Sequence, residues 1–147
     1  MDAILVVLLD ESPDEELLAA ANRHCLGTDT TAVVSRFVDE ARYQSSLQQD
    51  VRSGNDLEDV DDLEERARET AAAVASQAFD DAVETSALGV VGTLPESVLE
   101  TAAESDCGQV FLTGRRRSPV GKAVFGDVAQ QIMLEFDGPV TITTVGS

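Results

Sequence analysis

Positive charge is concentrated in one stretch of an otherwise acidic chain. Residues 114–127 read GRRRSPVGKAVFGD and hold four of the ten lysines and arginines in the 147-residue sequence, namely Arg115, Arg116, Arg117 and Lys122. Guanidinium groups can grip a phosphate with two parallel hydrogen bonds, and glycines let backbone amides approach an anion closely. The residue types and their spacing therefore favour an anion-binding segment.

The same arginines could instead serve as counter-charges for carboxylates of the same chain or of a dimer mate. Exposed ion pairs contribute only ~0–1 kcal/mol each, and less in salt. Such weak pairing gives no reason for the arginines to cluster in one stretch. Anion binding and salt bridging both remain open at this point.

The rest of the chain is strongly acidic. The sequence has 28 Asp and Glu against 10 Lys and Arg, only one of which is lysine, and a formal net charge of -18. Scarce lysine with abundant carboxylate predicts a halophilic protein, because a Debye length of about 3 Å at molar salt screens the self-repulsion. A surface of this charge repels phosphodiester backbones, so we expect no nucleic-acid partner.

Other classes of site and location are disfavoured by the patterns of the remaining residues. The opening apolar run, residues 3–9, is too short to span a bilayer and has no basic leader, so we expect no membrane association. Cys25 and Cys107 lack a CxxC context and are predicted to be buried hydrophobes in a reducing cytoplasm. His24, the only histidine, is expected near a helix end, where the dipole favours positive charge. No catalytic serine–histidine pair or metal pattern is visible, so the sequence gives no ground to predict an enzyme.

Apolar runs typical of buried strands alternate with amphipathic helical patterns along the chain. Strands are predicted at 3–9, 30–38, 84–91, 109–113 and 139–145, with helices at 12–27, 63–79, 93–105 and 127–136. We expect Ser12 and Thr93 to begin their helices through capping boxes, and Gly27 and Gly108 to end them. Alternation of this kind predicts an α/β fold with a parallel sheet and helices on both faces.

The predicted elements form one domain, residues 1–147, with a single unusual connection. Residues 39–62 are rich in Asp, Glu, Gln and Ser and are predicted to be a long, mobile, polar link. In open parallel sheets, ligands bind beyond the carboxyl ends of the strands. Asp10, Gly92 and Gly114 follow the first, third and fourth predicted strands and are therefore candidate ligand contacts.

Several stretches together resemble the universal stress protein (UspA-type) family. ILVVLLDES resembles its opening strand and aspartate, SRFVDE the end of its second strand, and GQVFLTGRRR, VFGDVAQQI and PVTITTV its closing third. The resemblance implies an open five-stranded parallel sheet of order 3-2-1-4-5, the adenine nucleotide alpha hydrolase-like fold. It also implies a homodimer through the last strand, residues 139–145, a role in the stress response with an unidentified protein partner, and at most slow ATP hydrolysis.

The resemblance further implies a site for ATP or AMP. Asp10 and the Phe37–Val38 turn would lie near the ribose and adenine, and Gly114 and Gly126 would line the phosphates. The full set of implied or candidate nucleotide contacts is Asp10, Phe37, Val38, Gly92, Gly114, Arg115, Arg117, Ser118, Gly126 and Asp127.

The family's nucleotide motif, G-x2-G-x9-G-S/T, is altered in this sequence. Arg117 stands at the second glycine, Gly126 comes one residue early, and Asp127 replaces the hydroxyl residue. Asp127 brings a negative charge to the place of a phosphate and is a strong helix N-cap. It could hold a Mg²⁺ shared with the nucleotide, or pair with Arg117 and close the site. Two functions remain open: a nucleotide-binding regulatory protein, and a dimeric scaffold that does not bind ATP.

Overall fold

Five strands form one parallel sheet. The computed structural model describes residues 3–9, 13–40, 60–114 and 127–144. The strands are β1 Ala3–Leu8, β2 Thr31–Asp39, β3 Thr85–Gly92, β4 Cys107–Thr113 and β5 Val140–Thr143. Their order in the sheet is β3-β2-β1-β4-β5. The described helices are α1 Glu15–Thr28, α2 Val60–Ala78, α3 Glu96–Glu104 and α4 Asp127–Glu135. The fold and strand order implied by the family resemblance are confirmed, whereas most of the predicted polar link, at 41–59, lies outside the described residues.

The sheet separates two apolar cores, which we call the α1/α2 face and the α3/α4 face. Successive side chains of β1 alternate between them, with Ile4 and Val6 in the first core and Leu5 and Val7 in the second. Both faces are covered, so a central strand needs apolar residues at every position. This is why the opening run of the sequence lacks the polar alternation of a half-exposed strand.

Helix α2 lies unusually close to the edge strand β3. Its buried positions are all alanine, namely Ala67, Ala71 and Ala75, as expected for close packing of a helix on a sheet. A Cβ atom added to Gly89 of β3 would lie 2.1 Å from the carbonyl oxygen of Glu64 and 2.4 Å from the backbone nitrogen of Arg68. Only glycine permits this approach at position 89.

The ends of α1 differ from the prediction. Asp14, not Ser12, is the N-cap, and its Oδ1 accepts a hydrogen bond of 3.1 Å from the Glu16 amide. The helix also runs past Gly27 and ends where Asp29 adopts the left-handed conformation, with φ 54°. Aspartate tolerates that conformation, so the glycine is not needed as a stop.

Helix α3 also begins and ends differently from its sequence pattern. Its N-cap residue is Pro95, and no side chain caps it, so the prediction of a Thr93 capping box is wrong. The helix ends before Gly108, which lies within β4. The turn is made by Asp106, whose positive φ of 58° takes the role expected of the glycine.

The histidine and the two cysteines pack against other residues of the fold. His24 lies before the last turn of α1, so the helix-end prediction is wrong, and its ring packs on Phe111 with centroids 5.5 Å apart. Its Nε2 lies 3.3 Å from the side-chain nitrogen of Gln109. Cys25 and Cys107 are buried and unpaired, and burial raises the pKa of each thiol to about 11. The prediction of buried hydrophobic cysteines is confirmed.

Among the described helices, none is both long and apolar enough for a membrane span.

Candidate functional site

The carboxyl ends of β1 and β4 lie side by side at one edge of the sheet. The two strands are parallel neighbours, with Leu5 opposite Val110 and Val6 opposite Phe111. From this pair the chain order runs outward in opposite directions, to β2 on one side and to β5 on the other. Such a reversal of strand order is where open α/β sheets form a ligand crevice.

Two segments that the sequence analysis singled out follow these two strands in the chain. The connection that carries Asp10 leaves β1, and the arginine-rich segment leaves β4 at Gly114. Gly114 is buried, and its amide donates a hydrogen bond of 2.7 Å to the carbonyl oxygen of Thr143 on β5. The first residue of the arginine-rich segment is thus held against the neighbouring strand.

A polar cluster of three side chains, the Asp14 cluster, lies at the ends of β4 and β5. The Thr143 hydroxyl donates to Asp14 Oδ2 over 2.6 Å, and the Thr113 hydroxyl donates to the same oxygen over 3.4 Å. The two hydroxyl oxygens are themselves 3.4 Å apart. All three residues are half-buried, so these hydrogen bonds are partly shielded from water.

The strand register explains why the two threonines meet. Thr113 lies opposite Thr143 in the β4–β5 ladder. Phe111, two residues before Thr113, belongs to the α1/α2 face, so both hydroxyls lie on that face, next to the start of α1. Sequence analysis missed this cluster. No local pattern in the sequence indicates it, because Asp14 and Thr143 are 129 positions apart.

The predicted adenine-side residues, Phe37 and Val38, lie near the carboxyl end of β2, within the strand and not in a turn. Strand β2 is next to β1 in the sheet. The Phe37 side chain is 1% exposed and packs into the core of the α3/α4 face. Its carbonyl oxygen accepts a hydrogen bond from the Arg36 guanidinium. Val38 is half-buried and lines an open depression of about 350 Å³ together with Leu63 and Thr70. In this conformation a base would meet the Phe37–Val38 backbone and the Val38 side chain, not the Phe37 ring.

Gly92 and Gly114 both lie at the carboxyl ends of strands, but the strands are far apart in the sheet. Gly92 is the last residue of β3, and two strands separate β3 from β4. With about 4.8 Å between neighbouring strands, the two glycines are separated by roughly 14 Å across the sheet. A Cβ atom on Gly92 would lie 3.1 Å from Ser97 Cβ, so the start of α3 packs directly on this residue.

The remaining predicted contacts are only partly described. Asp127 is the first residue of α4. The others, Asp10, Arg115, Arg117, Ser118 and Gly126, lie outside the described residues. Within the described ranges, no group of three or more His, Cys, Asp or Glu side chains is arranged to hold a metal ion. The suggestion of a Mg²⁺ ion at Asp127 stays a prediction.

Solved structures with the same fold cover nearly the whole chain. A universal stress protein from Archaeoglobus fulgidus is 19% identical, with 97% of this chain and 98% of that chain covered and a TM-score of 0.63. The hypothetical protein MJ0577, the subject of a structure-based assignment of biochemical function, is 14% identical, with 100% and 99% covered and a TM-score of 0.72. A universal stress protein in complex with cAMP is 15% identical, with 97% of each chain covered and a TM-score of 0.50. At these identities the likeness establishes the fold.

Sequence comparison supplies the family. No curated protein matches the sequence. The family model described as "Universal stress protein family" matches residues 1–144. With nearly every residue inside that match, and with the family's strand order in the sheet, the chain belongs to the universal stress protein family.

Proposed function

We propose that this protein is a regulatory protein of the stress response that binds an adenine nucleotide, ATP or AMP, in the crevice between β1 and β4. The observation that carries the proposal is the adjacency of these strands, with Gly114 fixed to Thr143 at their carboxyl edge. In the sequence, the Asp10 connection follows one of these strands and the arginine-rich segment follows the other. A solved relative of the same fold was crystallised with cAMP, which supports a nucleotide as the class of ligand.

The arginines are the proposed source of phosphate affinity. The chain carries a net charge of -18, so long-range attraction works against an anionic ligand. Short bidentate contacts from Arg115 and Arg117 would have to overcome that field. In the proposed site these contacts replace the second glycine and the hydroxyl residue of the family's motif.

Asp127 is proposed to limit the affinity. It begins α4, where the helix dipole and free amides would otherwise attract a phosphate. A carboxylate in the first turn of a helix is itself favoured by the dipole and would compete with a phosphate there. We expect Asp127→Ser to strengthen nucleotide binding about tenfold if the carboxylate competes with the phosphate, and to weaken it if that carboxylate holds a shared Mg²⁺.

Calorimetry and thermal denaturation with ATP, AMP and cAMP, with and without Mg²⁺ in molar KCl, test the proposal. A ligand present at 100 times its Kd stabilises a protein by about 2.7 kcal/mol, which raises the Tm of a domain this size by roughly 5–10 °C. Arg117→Ala should weaken binding at least tenfold.

Arg68→Ala is the matched control for the loss of one arginine. Arg68 lies on α2, where it pairs with Glu65 on the exposed surface, and its loss should leave nucleotide affinity unchanged. If none of the three nucleotides raises the Tm at millimolar concentration, the proposed function is wrong.

A homodimeric scaffold that binds no nucleotide is the second candidate. Its support is the set of incompletely buried apolar side chains on β5, the edge strand within the predicted pairing segment 139–145, and on α4. Val140 and Ile142 of β5 are half-buried, and Leu134 on α4 is 77% exposed. In the proposed dimer two copies pair along β5, and Leu134 contacts the second copy.

Sedimentation in molar salt tests the scaffold. Leu134→Glu should shift a dimer toward monomer, whereas Gln131→Glu, an equal added charge at another exposed position of α4, should not. A wild-type chain that sediments as a monomer at 100 μM contradicts the scaffold. A dimer that binds no nucleotide favours it over the first proposal.

A further inference from the structure

The Asp14 cluster joins three elements that border the proposed crevice. We infer that Asp14 is a positioning residue that acts through Thr143, holding the start of α1 against the ends of β4 and β5 beside Gly114. As far as it concerns ligand affinity, the inference rests on the proposed function. Its structural part, the coupling of Asp14 to Gly114 through Thr143, stands on the described contacts alone.

The two carboxylate oxygens of Asp14 have separate partners. Oδ1 accepts from the Glu16 amide at 3.1 Å, which caps α1. Oδ2 accepts from the Thr143 hydroxyl at 2.6 Å, across 129 positions of sequence. Capping needs only one oxygen. The second oxygen therefore makes a tertiary contact that a shorter capping residue could not reach.

Thr143 also contacts Gly114, the first residue of the arginine-rich segment. Its hydroxyl holds Asp14, and its carbonyl oxygen accepts from the Gly114 amide at 2.7 Å. Only two hydrogen bonds and one residue thus separate the start of α1 from the first residue of that segment. The bond to Asp14 is charge-assisted and partly shielded, which makes it one of the stronger kinds of hydrogen bond in a protein.

Thr113 alone would not maintain the arrangement. Its hydroxyl is 3.4 Å from Asp14 Oδ2, near the limit for a hydrogen bond, compared with 2.6 Å for Thr143. Loss of the Thr143 hydroxyl would leave a half-buried carboxylate oxygen with only this weak partner. The start of α1 would then be free to move away from β5.

Thr143→Val removes the hydroxyl while keeping the shape and strand preference of the residue. We expect nucleotide affinity to fall five- to tenfold and amide hydrogen exchange at Gly114 to rise at least fivefold, measured by NMR on the full chain. Thr141→Val is the matched control. Thr141 lies two residues earlier on the same face of β5 and has no side-chain hydrogen bond to another described residue. Both quantities should stay within twofold of the wild type in this control.

Asp14→Ser separates positioning from capping. Serine is about as good an N-cap as aspartate, so the helix start is retained, while the side chain is too short to reach Thr143. The positioning role predicts the same fivefold rise in Gly114 exchange as in Thr143→Val. The double variant should be no worse than either single one, because both remove the same contact. Thr143→Ser, which restores a hydroxyl, should recover most of the wild-type behaviour.

The outcomes separate this inference from the proposed function. If the wild type binds no nucleotide, the proposed function fails, and the Gly114 exchange alone decides the positioning role. If Asp14→Ser and Thr143→Val exchange at Gly114 like the wild type, Asp14 is only a helix cap and the inference is wrong. Binding losses as large in Thr141→Val as in Thr143→Val would also overturn it.

Discussion

The buried serine hydroxyls around β2 and β3 differ from the half-buried threonine hydroxyls at the ends of β4 and β5. Around β2 and β3, the buried Ser35 and Ser97 hydroxyls have no hydrogen-bond partner among the described residues. At the ends of β4 and β5, the hydroxyls of Thr113 and Thr143 both donate to Asp14. Close packing stabilises the β2–β3 half, as the contact of α2 with Gly89 shows. Side-chain hydrogen bonds stabilise the ends of β4 and β5.

The contrast separates a region fixed by packing from a region fixed by hydrogen bonds. Close packing fixes β2 and β3 without any need for polar specificity, and there an unpaired hydroxyl is only a cost. Directed hydrogen bonds at the β4–β5 end fix orientation, which a binding site requires. The β4–β5 half is also the one from which the arginine-rich segment leaves the sheet.

The largest expected effect is on the packed half. Gly89→Ala would place a methyl group 2.1 Å from the Glu64 carbonyl oxygen, so α2 must shift, and we expect a loss of about 3 kcal/mol or more in the free energy of unfolding. Urea denaturation in molar salt measures this. Gly108→Ala is the control, since an added Cβ there meets no atom within 4 Å, and equal losses in the two variants would contradict the close approach of α2.

The next effect compares the two faces of the sheet, each of which buries one thiol. The pKa of Cys25 and that of Cys107 are raised to about 11 by burial, whereas an unfolded thiol titrates near pH 8.5. The raised folded-state pKa gives stability that is present below about pH 8.5 and is lost as the pH rises toward 11. We expect the free energy of unfolding to fall by about 2 kcal/mol per thiol by pH 10.

Single variants assign this pH dependence to each face. Cys25→Ala and Cys107→Ala should each flatten the profile between pH 8 and pH 10 by a similar amount in denaturant titrations. A profile parallel to that of the wild type in either variant would show that the corresponding thiol is not shielded in the folded protein.

A smaller effect is expected from Asp14 itself. Asp14→Ala removes both the cap of α1 and the link to Thr143, and we expect a loss of about 1–2 kcal/mol. Asp14→Ser should recover the capping share, about half of that loss. A serine variant as unstable as the alanine variant would indicate that all of the stability lies in the contact with β5.

The smallest effect tests the hydroxyl contrast directly. Ser35→Ala removes a buried hydroxyl that has no described partner, so we expect the free energy of unfolding to stay level or to rise by up to about 1 kcal/mol. Thr143→Val removes a paired hydroxyl and should lower it by about 1 kcal/mol. Denaturation curves of the two variants should therefore move in opposite directions. Movement in the same direction would remove the distinction between the halves.

The elements of the fold were predictable because their signals are local. The run from Ala3 to Leu9 predicts a strand buried on both faces, and the alanines of α2 predict close packing on a sheet; both are seen. The strand order is different in kind, because it came from the family resemblance. No local pattern states which strands are neighbours.

Helix ends and the polar cluster were not predictable to the same degree. Ser12 and Thr93 fit the capping-box pattern, yet the N-cap residues of the two helices are Asp14 and Pro95. Several neighbouring residues could each serve as the N-cap, and the pattern does not choose among them. The contact between Asp14 and Thr143 joins residues 129 positions apart. Tertiary packing alone creates it, so periodicity and composition carry no trace of it.

The short length of β5 has a consequence for self-association. Its described span, Val140–Thr143, has four residues, against eight in β3 at the other edge. A backbone hydrogen bond contributes a net ~1 kcal/mol. A strand from another chain that pairs with four-residue β5 therefore gains too little binding free energy from backbone hydrogen bonds alone. Polymerisation by edge-to-edge stacking is therefore disfavoured, and a lasting pair of copies has to draw on side chains outside the strand.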